Sequence, residues 1–256
     1  MSARIEDRGD RLIIWNGNTA RRGALSPELY ECIAQAMVQA AEPRIRAVIL
    51  TSEGGFFCAG GDLNVLIERR GLSDDDRREK VDLLHDLVRA MRACPVPVIA
   101  AVEGGAAGAG LSLALACDLI VATKEAKFTA AYVKAGLVPD AGLTSAMARL
   151  LPRPFAMEMC LLGRPVMASR FAELGAISRL CPEGDALQEA MVLADTLASG
   201  PRAAQSTIRQ LVSAAYERTE ADQLDAERDA MAVAAGGDEA AEGIAAFLEK
   251  RKPDFR

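Results

Sequence analysis

Aromatic residues are scarce in this chain. Among 256 residues there are one Trp, three Tyr and seven Phe, 4% in all. A binding cage of stacked rings is therefore not expected. Histidine occurs once, at His85, and the six cysteines (Cys32, Cys58, Cys94, Cys117, Cys160 and Cys181) are scattered with no CxxC pair. The common zinc spacings are missing, so no metal site is expected. Several cysteines lie inside apolar runs, as small buried residues do. This fits a reducing compartment better than a disulfide framework. Positive charge is not in excess: 30 basic against 36 acidic side chains give a net charge of -6. Such a balance lacks the electrostatic footprint of a nucleic-acid binder. No apolar run reaches membrane-spanning length free of charges or helix breakers. The start, "MSARIEDRGDR", is charged where a signal peptide would be apolar. The expectation is a cytoplasmic protein with neither nucleic acid nor membrane as partner.

What remains is ample apolar material. Hydrophobic residues make up 50% of the chain, enough for a large core. "RLIIWN" reads as an early strand. "IRAVILTS", "VPVIAAVEG" and "CDLIVAT" are short apolar runs rich in β-branched residues, separated by helical segments. Strands buried on both faces, in an α/β fold, give this pattern. In "SPELYECIAQAMVQAAE", Ser26 is an N-cap, Pro27 takes the first helical position and Glu28 sits at the positive helix end. The stretch 73–94 is a second capped helix, with Val81, Leu84, Leu87, Val88 and Met91 at helical spacing. After Val121 the pattern is mostly helical. The spacing predicts an α/β core over residues 1–195 and a helical C-terminal region over 196–256.

Two stretches are stripped of side chains. "GGFFCAGGDL", residues 54–63, follows a strand and brings Ala59, Gly60 and Gly61 before Asp62. "VEGGAAGAGLSLALACDLIVA", residues 102–122, runs from a strand through a glycine-rich turn into an apolar helix. A helix start aims unpaired N–H groups and the positive end of its dipole at whatever lies there. No Lys follows the glycines as a phosphate loop requires, and no clean G-x-G-x-x-G is present. Each stretch by itself is consistent with close packing. Together they are able to supply two backbone N–H groups to one oxygen, an oxyanion hole.

With "KFTAAYVKAGLVPDAGLT" as a third ordered motif, the chain resembles the crotonase superfamily, the enoyl-CoA hydratases and isomerases. The resemblance implies a ClpP/crotonase ββα spiral core with a helical C-terminal trimerisation region. It also implies a homotrimer or dimer of trimers. It implies an acyl-CoA thioester substrate, with coenzyme A part of that substrate and no separate cofactor. Its two donors fall on the N–H groups of Gly61 and Ala109. Coenzyme A falls along Ala59, Gly60, Gly61, Asp62 and Leu63, and beside Arg22 and Ala24. Arg21 and Arg22 match a region where relatives place basic residues near its phosphates; two solvated surface arginines are the plainer reading. Asp62 follows the first donor and orients its turn.

The resemblance breaks at the acid–base set. Hydratases carry two glutamates where this chain has Ser112 and Tyr132. One carboxylate remains nearby, Asp140 in "GLVPDAG", where isomerases of the family place a catalytic acid and halobenzoyl-CoA dehalogenases an aspartate nucleophile. The competing reading of Asp140 is a helix cap in a Pro-Asp turn. His85 stands where the dehalogenases keep a base, or is a partly buried helix residue. The candidate catalytic set is thus Gly61, Ala109, Asp140, Tyr132 and His85. The expected reaction is an isomerisation through an enolate, and the "GLVPDAG" segment and tail look most like the branch handling phenylacetate-type ring intermediates. The alternatives are a hydratase or ring-opening hydrolase with a non-standard acid–base set, and a CoA-binding module without turnover.

Overall fold

The computed structural model describes residues 3–255. Its strands are β1 (Ala3–Asp7), β2 (Arg11–Asn16), β3 (Ala47–Ser52), β4 (Val98–Val102), β5 (Gly105–Ala107), β6 (Leu119–Thr123), β7 (Lys127–Thr129), β8 (Val166–Met167) and β9 (Arg179–Cys181). The main sheet runs β1-β2-β3-β4-β6-β9; β1 joins it antiparallel and the other neighbours are parallel. A small sheet, β5-β7-β8, stands beside it, and a bridge between Cys58 and Ala106 links it to the loop after β3.

The main sheet is buried on both faces, as its uninterrupted apolar runs require. Leu12, Ile14, Val48, Leu50 and Val98 join one core cluster, together with residues of α1 (Pro27–Gln39) and others further along. Ile13, Ile49, Ile99 and Val121 alternate with them and form a second cluster. Four helices follow in the middle of the chain: α2 (Leu63–Glu68), α3 (Asp74–Ala93), α4 (Ala109–Ala116) and α5 (Leu143–Leu150). The remainder are α6 (Arg153–Leu162), α7 (Ala168–Glu173), α8 (Ala186–Ala198), α9 (Arg202–Ala214), α10 (Glu220–Ala235) and α11 (Asp238–Glu249). Ala186, Ala190 and Ala194 recur at one-turn spacing along α8 and let it lie close on the second face. Ser26 and Ser73 cap α1 and α3, each hydroxyl accepting from the N–H three residues on.

Two features were not read from the sequence. β1 is a strand although its residues are charged: it is an edge, and Glu6 there accepts from the Trp15 indole at 2.8 Å. The region after Val121 contains β7, β8 and β9, which at two or three residues each are too short to show a period of two. The division at residue 195 falls inside α8, which packs on the sheet. We therefore propose that the helical tail begins with α9. The α9 helix is anchored by Arg209, 8% exposed. Its guanidinium pairs with Asp118 at 2.6 Å and donates to the carbonyl oxygens of Met91, Arg92 and Cys94, the last turn of α3.

Candidate active site

The two small-residue turns meet. Ala107 N–H donates to Cys58 O at 2.9 Å, extending the isolated bridge between Cys58 and Ala106. Gly60 adopts φ +90°, and a Cβ there would stand 2.7 Å from Ala107 O and 3.0 Å from Ala109 N. At Gly110 a Cβ would lie 2.7 Å from the Cys58 Cβ and closer still to the Cys58 carbonyl oxygen. These glycines are needed for the approach of one backbone to the other. Gly61 is different: a Cβ there would meet only the Leu66 side chain, at 3.4 Å. Among the described residues, no acceptor faces the N–H of Gly61 or of Ala109. Ala109 is the first residue of α4, and no side chain caps that helix. Its N–H therefore carries the positive end of a helix whose eight residues are all buried.

The acid–base candidates converge from three elements. Ser112 projects from α4, Tyr132 from a short 3-10 turn, and Asp140 from the loop before α5. Tyr132 Oη donates to Asp140 Oδ1 at 2.6 Å. Ser112 Oγ stands 3.0 Å from Tyr132 Oη, 3.2 Å from the Asp140 carbonyl oxygen and 3.4 Å from the Gly108 carbonyl oxygen. Burial, then the Asp140 charge, pushes the Tyr132 phenol well above its usual value. Tyr132 thus keeps its proton and acts as a donor to the carboxylate. Asp140 Oδ2 has no hydrogen-bond partner among the described residues, and the side chain is half-buried. The two residues after Asp140 are both left-handed, Ala141 at φ +50° and Gly142 at φ +75°. For alanine that conformation costs about 1–2 kcal/mol. Asp140 does not cap α5: the N-cap is Gly142 and no side chain bonds there. The carboxylate is turned to Tyr132 instead.

The segments expected along coenzyme A also come together. Ala59 N–H donates to Arg22 O at 3.0 Å and Leu25 N–H to Gly60 O at 2.9 Å, so residues 22–25 lie alongside 59–60. Ala24 is buried between them, while Leu63 opens α2 at 59% exposure. The arginines are exposed yet engaged. Arg21 pairs with the Asp62 carboxylate, and the Arg22 guanidinium stacks 4.0 Å from the Phe56 ring centre. Asp62 also accepts from Asn64 N–H at 2.9 Å and caps α2. Tyr30, on α1, was not a candidate from sequence. Burial pushes its phenol up to about 12, with Asp140 adding to the rise and Arg69 opposing it.

His85 makes no hydrogen bond to Asp140, Tyr132 or Ser112. Its Nδ1 lies 3.7 Å from Asp82 on the same helix, and its Nε2 is buried without a partner among the described residues. No three His, Cys, Asp or Glu side chains among the described residues are grouped as a metal ion would need. No helix there is long and apolar enough to cross a membrane.

Known proteins resemble this chain along nearly its whole length. The model of the family described as "Enoyl-CoA hydratase/isomerase" matches residues 18–256. The 1,2-epoxyphenylacetyl-CoA isomerase of Escherichia coli is 36% identical over 237 residues, 92% of this chain and 90% of that protein. The 2,3-dehydroadipyl-CoA hydratase of the same organism is 32% identical over 258 residues, covering 100% of this chain and 99% of its own length. A crystal structure of an enoyl-CoA hydratase from a Polaromonas species superposes with a TM-score of 0.96 at 40% identity, covering 99% of both chains. The relatives thus carry both isomerase and hydratase names. By family model, by relatives and by fold, this chain belongs to the enoyl-CoA hydratase/isomerase family of the crotonase superfamily and is an acyl-CoA-processing enzyme of that family.

Proposed function

We propose that the protein is an enoyl-CoA isomerase that moves a double bond or ring bond of an acyl-CoA through a thioester enolate, with Asp140 as the acid–base group. The observation that carries this reading is the Tyr132–Asp140 pair, 2.6 Å apart, beside two N–H groups without acceptors. The thioester oxygen lies between the N–H groups of Gly61 and Ala109. Asp140 Oδ2 removes a proton from the α-carbon, and the electron pair moves onto the thioester oxygen. There the two donors and the α4 dipole stabilise it; one such donor is worth about 3 kcal/mol. Asp140 then returns the proton to the γ-carbon, and the double bond has moved into conjugation. Tyr132 keeps the carboxylate oriented throughout. Hydration in this family's usual form needs two carboxylates, and here Ser112 and Tyr132 occupy the positions that the resemblance assigns to them.

The resemblance to a 1,2-epoxyphenylacetyl-CoA isomerase supports a ring-derived or otherwise compact acyl group. Coenzyme A would run along Ala59 to Leu63, with Arg22 and Ala24 on its other side. A hydratase reading has the 2,3-dehydroadipyl-CoA hydratase relative in its favour, with the Ser112 and Tyr132 hydroxyls holding water. We also propose a homo-oligomer, a trimer by family resemblance, joined through the tail helices. Val212, Tyr216, Met231 and Phe247 are all exposed there, Phe247 at 82%. Exposed apolar groups in such number suit burial against a second copy.

The test is a panel of unsaturated acyl-CoAs with product mass and double-bond position both read. An isomerase gives a product of unchanged mass with the double bond moved; a hydratase adds the mass of water. A panel that binds without any turnover would reduce the protein to a CoA-binding module.

A further inference from the structure

Ser112 is 1% exposed and sits at the junction of the two halves of the site. The Gly108 carbonyl that its hydroxyl reaches belongs to the same peptide unit as the Ala109 N–H. That carbonyl already accepts from Leu111 N–H at 3.0 Å and Ser112 N–H at 3.2 Å. A further donor on the oxygen polarises the peptide and strengthens the N–H at its other end. On its opposite side Ser112 faces both the Tyr132 hydroxyl and the Asp140 carbonyl oxygen. The Asp140 carbonyl has one other donor, Leu143 N–H at 3.1 Å, and it opens the left-handed pair Ala141–Gly142. The plainer fate of a buried helical serine is a bond back to the carbonyl four residues earlier. Here that bond is the longest of three, and the shorter two both lead to the acid–base pair.

Resting on the isomerase reading above, we propose that Ser112 is a positioning residue that couples the donor peptide 108–109 to the Tyr132–Asp140 pair. One hydroxyl proton is shared among three acceptors. Because Tyr132 gives its own proton to Asp140, its oxygen is free to accept from Ser112. The chain Ser112–Tyr132–Asp140 therefore points all its donors toward the carboxylate. As the enolate forms, the proton of Ser112 is available to swing to Gly108 O, where it reinforces the Ala109 donor. No bond to substrate is made or broken at Ser112.

The experiment uses the full chain, a six-carbon β,γ-enoyl-CoA as probe, and Ser112→Ala, Ser112→Thr, Tyr132→Phe and Asp140→Asn variants. Ser112→Ala should lower kcat by about tenfold, the size of one lost hydrogen bond, with KM nearly unchanged. Ser112→Thr, which keeps the hydroxyl, should recover most of the loss. Combined with Tyr132→Phe the two losses should be less than multiplicative, and in Asp140→Asn the Ser112→Ala change should add nothing. Normal kcat in Ser112→Ala beside a crippled Asp140→Asn overturns the coupling and leaves the isomerase reading standing. Normal kcat in both overturns the reading, and the coupling with it. Losses that multiply fully, or that follow a fall in melting temperature, overturn the coupling in favour of simple packing.

Discussion

The two turns that offer N–H groups look alike in the sequence and are built differently. The second runs into α4, whose eight residues are all buried, and is fixed by backbone contact with Cys58 through Gly110. The first runs into α2, which has no buried residue and is held by polar side chains: Asp62 caps it and Arg21 pairs with that cap. Elements with few buried contacts open locally at low cost. The Ala109 donor is therefore part of the rigid core, while the Gly61 donor stands on a segment held by the exposed Arg21 and the largely covered carboxylate of Asp62. Small residues also serve different ends. At Gly60 and Gly110 they permit the turns to touch; at Gly61 there is room for a methyl group, and what matters is the N–H.

Substitutions separate these roles. The largest effect is expected at Gly110→Ala, where the new Cβ meets backbone that has nowhere to go. Overpacking of that kind costs about 3 kcal/mol or more, roughly 6–12 °C in melting temperature for a chain of this size. A thermal melt within a degree or two of wild type would show that the second turn is less fixed than its packing says. At Gly61 the prediction divides. Gly61→Ala should fold and turn over nearly as wild type. Gly61→Pro, which deletes the N–H, should lose ~100-fold or more in kcat with little loss of stability. Equal activity in both would mean that the first turn supplies no donor. The smallest effect is at Asp62. Asp62→Ala removes a cap worth about 1 kcal/mol and frees Arg21, so kcat should fall a few-fold while the global melt stays put. Asp62→Asn keeps the cap and loses only the ion pair, and should lie between. A larger loss at Asp62 than at Gly61→Pro would reverse the order of importance argued here.

Features that depend on neighbours in the chain were legible before the structure. Ser26 and Ser73 cap the helices expected of them, and the α1 and α3 boundaries follow from proline, acids and apolar spacing. The turns at 58–62 and 104–110 were marked by their small residues. Side-chain geometry at the site was not legible. Asp140 in a Pro-Asp turn ahead of a helix has every local property of a cap. A left-handed pair follows it, and its carboxylate accepts from Tyr132, eight residues back. Ser112 looked like a gap where relatives carry glutamate, and its three acceptors come from segments 4 to 28 residues away. Arg209 gave no local signal, since its partners Asp118, Met91, Arg92 and Cys94 are distant in sequence. The short strands β7 to β9 failed for a simpler reason: two or three residues do not make a period.

Everything proposed for the chemistry rests on one carboxylate, so the most direct measurement is solvent-deuterium exchange and turnover in Asp140→Asn with an unsaturated acyl-CoA. The variant keeps the shape of the side chain and removes its acid–base function. Turnover should fall by ~100- to 10,000-fold and exchange of the substrate's α- or γ-hydrogen should disappear, while acyl-CoA binding stays near wild type. Wild-type turnover and exchange in Asp140→Asn would contradict the account and leave His85, with its buried and unpartnered Nε2, as the group to examine next.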